Sequence, residues 1–187
     1  MRLNETEEIQ FQQYADEVLA EEAVWQLDDY HQHGQTTRLE HCMAVAYYSF
    51  WFYKRLGFSG QEKSLVRGAL LHDFFLYDWR RKEERPYLHG MVHPSLAYHE
   101  ALKYFELDDL EREIIQKHMW PMTLIPPRHR CAMIVSLMDK LCATTETCHL
   151  RYRICLAPMK MGRELAPVGF SYRLHWVMQK VRGQAAS

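Results

Sequence analysis

The chain has 187 residues, a hydrophobic fraction of 48% and a formal net charge of −1. That length suits one domain of ordinary size with a real core, and the near-neutral balance excludes a globally polyelectrolyte partner. The five cysteines are odd in number and form no CxxC, which excludes a disulfide framework and a zinc ribbon.

The thiols are scattered among apolar residues, so they read as buried free cysteines of a reducing compartment. The acidic N-terminus has no apolar signal-like core, and no apolar stretch is long enough to span a bilayer. A cytoplasmic protein without a membrane partner is expected. Charge is unevenly placed. Residues 1–30 hold nine acids and one base, whereas residues 151–187 hold seven bases and one acid. The plain reading is two solvated ends that complement each other. The sharper one is a basic rim that draws in a phosphorylated substrate.

In chain order, nearly every long segment has helical period. Residues 5–28 place Ile9, Tyr14, Val18, Leu19, Val24 and Trp25 among acids, which predicts an amphipathic helix. A break follows at 31–34. Thr37, with Glu40 at capping-box distance, predicts a helix from there to about Leu56, ended by Gly57. A further helix runs from Ser59-Gly60 to about Phe75. Residues 78–92 are charged and interrupted by Pro86 and Gly90, so a loop is expected. Pro94 fits the first turn of a helix to about Phe105. Asp108 or Asp109 opens a helix that ends near Met119, before Pro121. A mostly apolar helix covers about His129 to Ala143, and a last one about Tyr172 to Val181. The expectation is a single all-α domain over 1–187. Its core spans about 35–145, flanked by an N-terminal helix at 5–30 and a basic extension at 146–187.

Six residues form an ordered series within this pattern: His41, the pair His72-Asp73, His93, His118 and Asp139. All are good ligands for a divalent metal. Five of them project from inward helical faces, where a bare His or Asp is costly unless paired or metallated. Adjacent His and Asp side chains can reach one ion, and an Asp can place one oxygen on each of two ions. The chemistry implied is attack by a metal-activated water. The remaining histidines, among them His31, His33, His99, His129, His149 and His175, read as surface or supporting residues. His89 is the most plausible exception. Trp79, Arg80, Arg81, Lys82 and Arg85 follow the His-Asp pair in a broken, charged segment. They read either as a solvated loop or as a lid whose bases grip phosphates while Trp79 or Tyr87 stacks on a nucleobase.

The order His, His-Asp, His, His, Asp resembles the HD superfamily of metal-dependent phosphohydrolases. The resemblance is carried by Arg38-Leu-Glu-His41, Gly68-Ala-Leu-Leu-His-Asp73, His93-Pro94, Lys117-His118 and Leu137-Met-Asp139-Lys140. The two intervening histidines are similar to the dinuclear branch, which includes small bacterial hydrolases of dinucleoside polyphosphates and cyclic-dinucleotide phosphodiesterases. The Gly-Tyr-Pro element of the latter group is absent. The resemblance implies a helical fold and a phosphoester or phosphoanhydride substrate. It implies that His41, His72, Asp73 and Asp139 hold one metal and that Asp73 bridges to a second completed by His93 and His118. Lys140 and Arg38 then become candidate phosphate contacts beside Asp73. Mixed imidazole and carboxylate donors suit iron or manganese first, with zinc, cobalt and nickel as alternatives.

The expected partner is a small phosphorylated molecule, a nucleotide among the candidates, and a homo-oligomer fits as well. Two other readings share the ligands: a dinuclear-iron oxygenase acting on a small substrate, and a non-catalytic module with a structural metal. The basic tail carries Tyr152, Phe170, Tyr172 and Trp176. Aromatics at that spacing read as the core side of a last helix rather than as a nucleic-acid surface.

Overall fold

The structure, a computed structural model, describes residues 2–34, 36–83 and 86–148. Arg85 and the basic segment 149–187, with its expected last helix, lie outside the described residues. Seven α-helices are present in these residues: α1 (Glu5–Leu19), α2 (Glu22–Trp25), α3 (Arg38–Arg55), α4 (Glu62–Leu71), α5 (His89–Ala101), α6 (Asp109–Lys117) and α7 (Arg130–Thr147). Among the described residues there is no strand, and the one β contact is an isolated antiparallel bridge between His31 and Thr37. The all-α expectation holds.

Helix starts follow local chemistry. Asn4, Thr37 and Asp108 each accept a backbone N–H at the third helical position, and Glu7, Glu40 and Glu111 return the bond to the cap. Each box satisfies two otherwise orphaned donors. Gly57 follows α3 with φ of 73°, a left-handed position that ends the helix cheaply only for glycine.

Several boundaries differ from the expectation: α4 ends at Leu71 and α5 at Ala101, each about a turn early, and α7 runs on to Thr147. The first amphipathic segment breaks after Leu19, and a 3-10 turn at Gln26–Asp29 follows α2. Helix α5 begins at His89, five residues before Pro94, so Pro94 lies inside the helix. Pro94 removes one helical donor. Packing of His93, Ala97 and Ala101 into the interior holds the helix regardless, and Leu88 at φ of 58° turns the chain into it.

Helix α3 is central, with all but four of its 18 residues buried. It packs on α4 and α7, α4 and α7 both pack on α6, α1 covers α4, and α5 covers α6. Phe11, Phe50, Tyr53, Leu65, Leu70, Ile114, Ile115 and Val135 fill the space between them. Helices α4 and α6 meet closely at Gly68, where a Cβ would stand 2.9 Å from Ile114 Cδ1. A side chain there would drive the two helices apart. Their C-terminal ends, which carry His72 and His118, therefore converge.

Acids of the N-terminal region find partners on the surface of α3 and α4. Glu7 pairs with Arg55 at 2.7 Å and Glu17 with Lys63 at 2.8 Å. Cys42, Cys131 and Cys142 are buried free thiols as expected, but Cys148 is exposed. No helix of the described residues is long and apolar enough to cross a membrane.

Candidate metal centre

All six residues of the series are buried, and they come together. His41 lies in the first turn of α3, His72 caps the C-terminus of α4, and His118 caps that of α6. His93 comes from α5 and Asp139 from the middle of α7. His41 Nε2 is 3.1 Å from Asp139 Oδ1, and His72 Nε2 is 3.6 Å from both Asp139 Oδ1 and Asp73 Oδ2. Asp73 Oδ1 is 3.1 Å from His93 Nε2 and 3.5 Å from His118 Nε2. Two groups result, His41–His72–Asp73 and Asp73–His93–His118, each with ligand atoms within 4.8 Å of one another. Asp73 belongs to both.

The hydrogen bonds set the tautomers. The Nδ1–H groups of His72, His93 and His118 donate to the carbonyls of Ala69, His89 and Ile115 at 2.7, 3.0 and 2.8 Å. In its neutral form each ring thus turns an Nε2 lone pair into the centre. His93 Nε2 and His118 Nε2 face each other at 2.9 Å with no proton to share in those tautomers. His72 Nε2 and Asp73 Oδ1 are buried and have no hydrogen-bond partner. Lone pairs this close repel unless a cation lies between them, and an unsatisfied buried polar atom is costly. The donor set therefore fits a metal.

Without an ion the centre draws in positive charge as protons: against its burial, His72 is raised well above the usual imidazole range by Asp73, with Asp139. Burial opposes ionisation of Asp73, but His72, His93 and His118 hold its carboxyl well below the usual range. Asp139 is lowered in the same way by His41 and His72 against its own burial. Burial disfavours the His41 cation, yet Glu146 and Asp139 push it up to about 10. Burial, reinforced by His72 and His93, pushes His118 down to about 3.

A pH profile follows for the metal-free protein. Between about pH 6.5 and 10 native His41 holds a proton that the unfolded chain has released, so stability falls as pH rises. Between about 3 and 6.5 the unfolded chain takes a proton that native His118 refuses, so stability falls as pH drops. The unfolding temperature of chelator-stripped protein is expected to peak near pH 6.5. In metal-loaded protein the alkaline decline should vanish, because a liganded imidazole is held neutral through Nε2 and has no imidazolium proton to lose there. An alkaline limb that persists after reloading would count against these ligands.

Two cations expected to meet phosphate are placed differently. Arg38 is fully buried. Its Nε donates to Gln32 Oε1 at 3.0 Å, Nη1 to Phe75 O, and Nη2 to Tyr77 O at 3.1 Å. The guanidinium carbon also lies 3.7 Å from the Phe75 ring centroid. Lys140 Nζ donates to His118 O at 2.7 Å and to Ser136 O and Oγ at 3.1 Å, and lies 3.7 Å from Asp139 Oδ2. Both side chains are engaged within the protein and hold the centre's surroundings. Arg38 is sealed from solvent, whereas Lys140 keeps 37% of its side chain exposed beside Asp139.

The loop after the His-Asp pair lies beside the centre. The Trp79 indole and the His89 ring are parallel with centroids 5.5 Å apart, and Tyr77 Oη is 3.0 Å from His89 Nδ1. Arg80 and Arg81 are on the surface at 3.7 and 3.5 Å from Asp78, and Tyr87 is exposed.

Two neighbours, Glu146 and Gln32, escaped the sequence reading, and a third, His33, was read there as surface or supporting. Glu146 accepts from His41 Nδ1–H at 3.0 Å. It lies seven residues after Asp139 on the same face of α7, a signal hidden because the helix runs past its expected end at Ala143. His33 brings its ring to 5.6 Å from His41 and 6.4 Å from Trp79. Gln32 Nε2 donates to Asp73 Oδ2. Both come from the 31–37 loop, where no periodicity points to them.

The helical bundle gathers four imidazoles and two carboxylates from five segments around Asp73, a set of side chains that could hold a metal ion. The family model described as HD domain matches residues 38–144. The chain belongs to the HD domain family. Searches among curated proteins and among solved structures returned no match.

Proposed function

We propose that this protein is a metal-dependent phosphohydrolase. It would cleave a phosphoester or phosphoanhydride of a small phosphorylated metabolite, a nucleotide among the candidates, with two divalent ions sharing Asp73. One observation carries the reading: the buried Nε2 atoms of His72, His93 and His118 converge on Asp73, with His93 and His118 Nε2 facing each other at 2.9 Å and His72 Nε2 and Asp73 Oδ1 lacking any hydrogen-bond partner. The donor mixture suits a first-row transition metal, iron or manganese foremost.

Such ions, when bound, lower the pKa of a water and polarise phosphorus-bound oxygens. The chain's own residues do the rest. Glu146 and the carbonyls of Ala69, His89 and Ile115 orient the four imidazoles, as outer partners of metal ligands do. Lys140 ties the end of α6 to α7 through His118 O. Trp79, His89 and His33 form an aromatic flank suited to a planar group of the substrate. Arg80 and Arg81 have side-chain exposures of 43% and 68%, and their ion pairs with Asp78 are worth little. Turning them toward a phosphate therefore costs little.

The test uses chelator-stripped protein reloaded with Mn(II) or Fe(II) and offered a panel of nucleotides and phosphoesters. Phosphate release that depends on the metal is expected, without oxygen uptake. Oxygen consumption by the iron-loaded sample, with no phosphate release, would establish an oxygenase instead. A metal-replete protein inert toward the whole panel would point to a regulatory module.

A further inference from the structure

Gln32 stands between a buried cation and the shared carboxylate. Its Oε1 accepts from Arg38 Nε at 3.0 Å and its Nε2 donates to Asp73 Oδ2. The amide cannot be reversed, because a guanidinium accepts nothing and an ionised carboxylate donates nothing. Arg38 is itself immobile, held by the carbonyls of Phe75 and Tyr77 and stacked on Phe75. The loop around Gln32 is closed by Gln32 N–H to Thr36 O at 2.8 Å and by Arg38 N–H to Tyr30 O at 2.7 Å. Gln32 is 7% exposed, so water does not compete for its amide.

We propose that Gln32, oriented by Arg38, is a positioning residue that holds Asp73 by Oδ2 and thereby aims Oδ1 at His93 and His118. The inference rests on the two-ion reading above in one respect, the difference between the two positions. Without a fixed Asp73, the position at His93 and His118 keeps two imidazoles. The other keeps His41, His72 and Asp139. Losing the relay should therefore weaken one position selectively, whereas general loosening of the fold would weaken both.

The experiment titrates metal-free wild type, Gln32→Met and Gln32→Glu with Zn(II). Bound metal is counted by equilibrium dialysis, and the site is read from ¹⁵N shifts of the imidazole Nε2 atoms. Met preserves length and burial but neither donates nor accepts as the amide does. Glu keeps the acceptor for Arg38 but sets a carboxylate against Asp73 Oδ2. Cooperative thermal unfolding of the metal-free variants checks the fold.

Wild type is expected to take two equivalents. In both variants, binding reported by His93 and His118 should weaken about 10–100-fold, the scale for outer partners of metal ligands, while that at His41 and His72 is kept. Equal weakening at both positions, or none, overturns the proposal. If wild type takes a single equivalent, the two-ion reading fails. The relay then stands if the variants weaken that one equivalent about 10–100-fold and falls if they leave it unchanged.

Discussion

Replacing Asp73 by Ala is expected to reduce bound metal from two equivalents to at most one and to abolish metal-dependent hydrolysis. Asp73 is the residue common to both ligand groups. Its removal leaves two imidazoles, His93 and His118, at one position, and takes a carboxylate oxygen 3.6 Å from His72 Nε2 away from the other. The loss in metal affinity should exceed the about 10–100-fold typical of outer-partner substitutions, since a ligand and a buried negative charge disappear together. Elemental analysis of protein purified without added metal provides the check, with kcat/KM on the best substrate of the panel beside it. Two retained equivalents would show that Asp73 is not shared, and the division of the six residues into two groups would have to be redrawn.

The largest effect on stability is expected from Arg38→Met. The guanidinium is fully buried and supplies donors to Gln32 Oε1, Phe75 O and Tyr77 O. Met fills much of the stem volume but leaves these acceptors buried without their donors, at about 1–3 kcal/mol for each that finds no other partner. A net loss of about 3–5 kcal/mol is expected, as when one member of a buried charged arrangement is removed. Against a total of about 5–15 kcal/mol, this is a large part of what holds the domain together. Urea unfolding should show a lowered midpoint with an unchanged slope. Arg38→Lys keeps the charge but not the planar fork, so its loss should be intermediate. A change below about 1 kcal/mol, within the range of ordinary surface substitutions and single exposed contacts, would mean that these bonds contribute little and would return Arg38 to the candidates for substrate contact.

Much of the centre was legible in the chain. Helical period placed His41, His72, His118 and Asp139 on inward faces, and the structure buries all four. Gly68, which leaves no side chain in the way, is where the neighbouring helix comes close at Ile114. The capping boxes at Thr37 and Asp108 set where α3 and α6 begin, and through them the height of His41 and His118 along the bundle. The start of α5 was misplaced because Gly90 and Pro94 are local breakers. The buried contacts of His93 and Ala97 outweigh the hydrogen bond that Pro94 removes.

The identity, order and facing of the candidate ligands came from the sequence alone, because they depend on residue type and on a period of 3.6 along one helix. The fates of Arg38 and Lys140 did not, and neither did the roles of Gln32, His33 and Glu146. Their partners lie as many as 105 residues away in the chain, and only the packing of α3 between α4 and α7 decides which donor meets which acceptor. A periodic pattern says which way a side chain points. What it touches there is a property of the other helices: in this protein they bury Arg38 against Gln32, Phe75 and Tyr77 and tie Lys140 to His118 and Ser136.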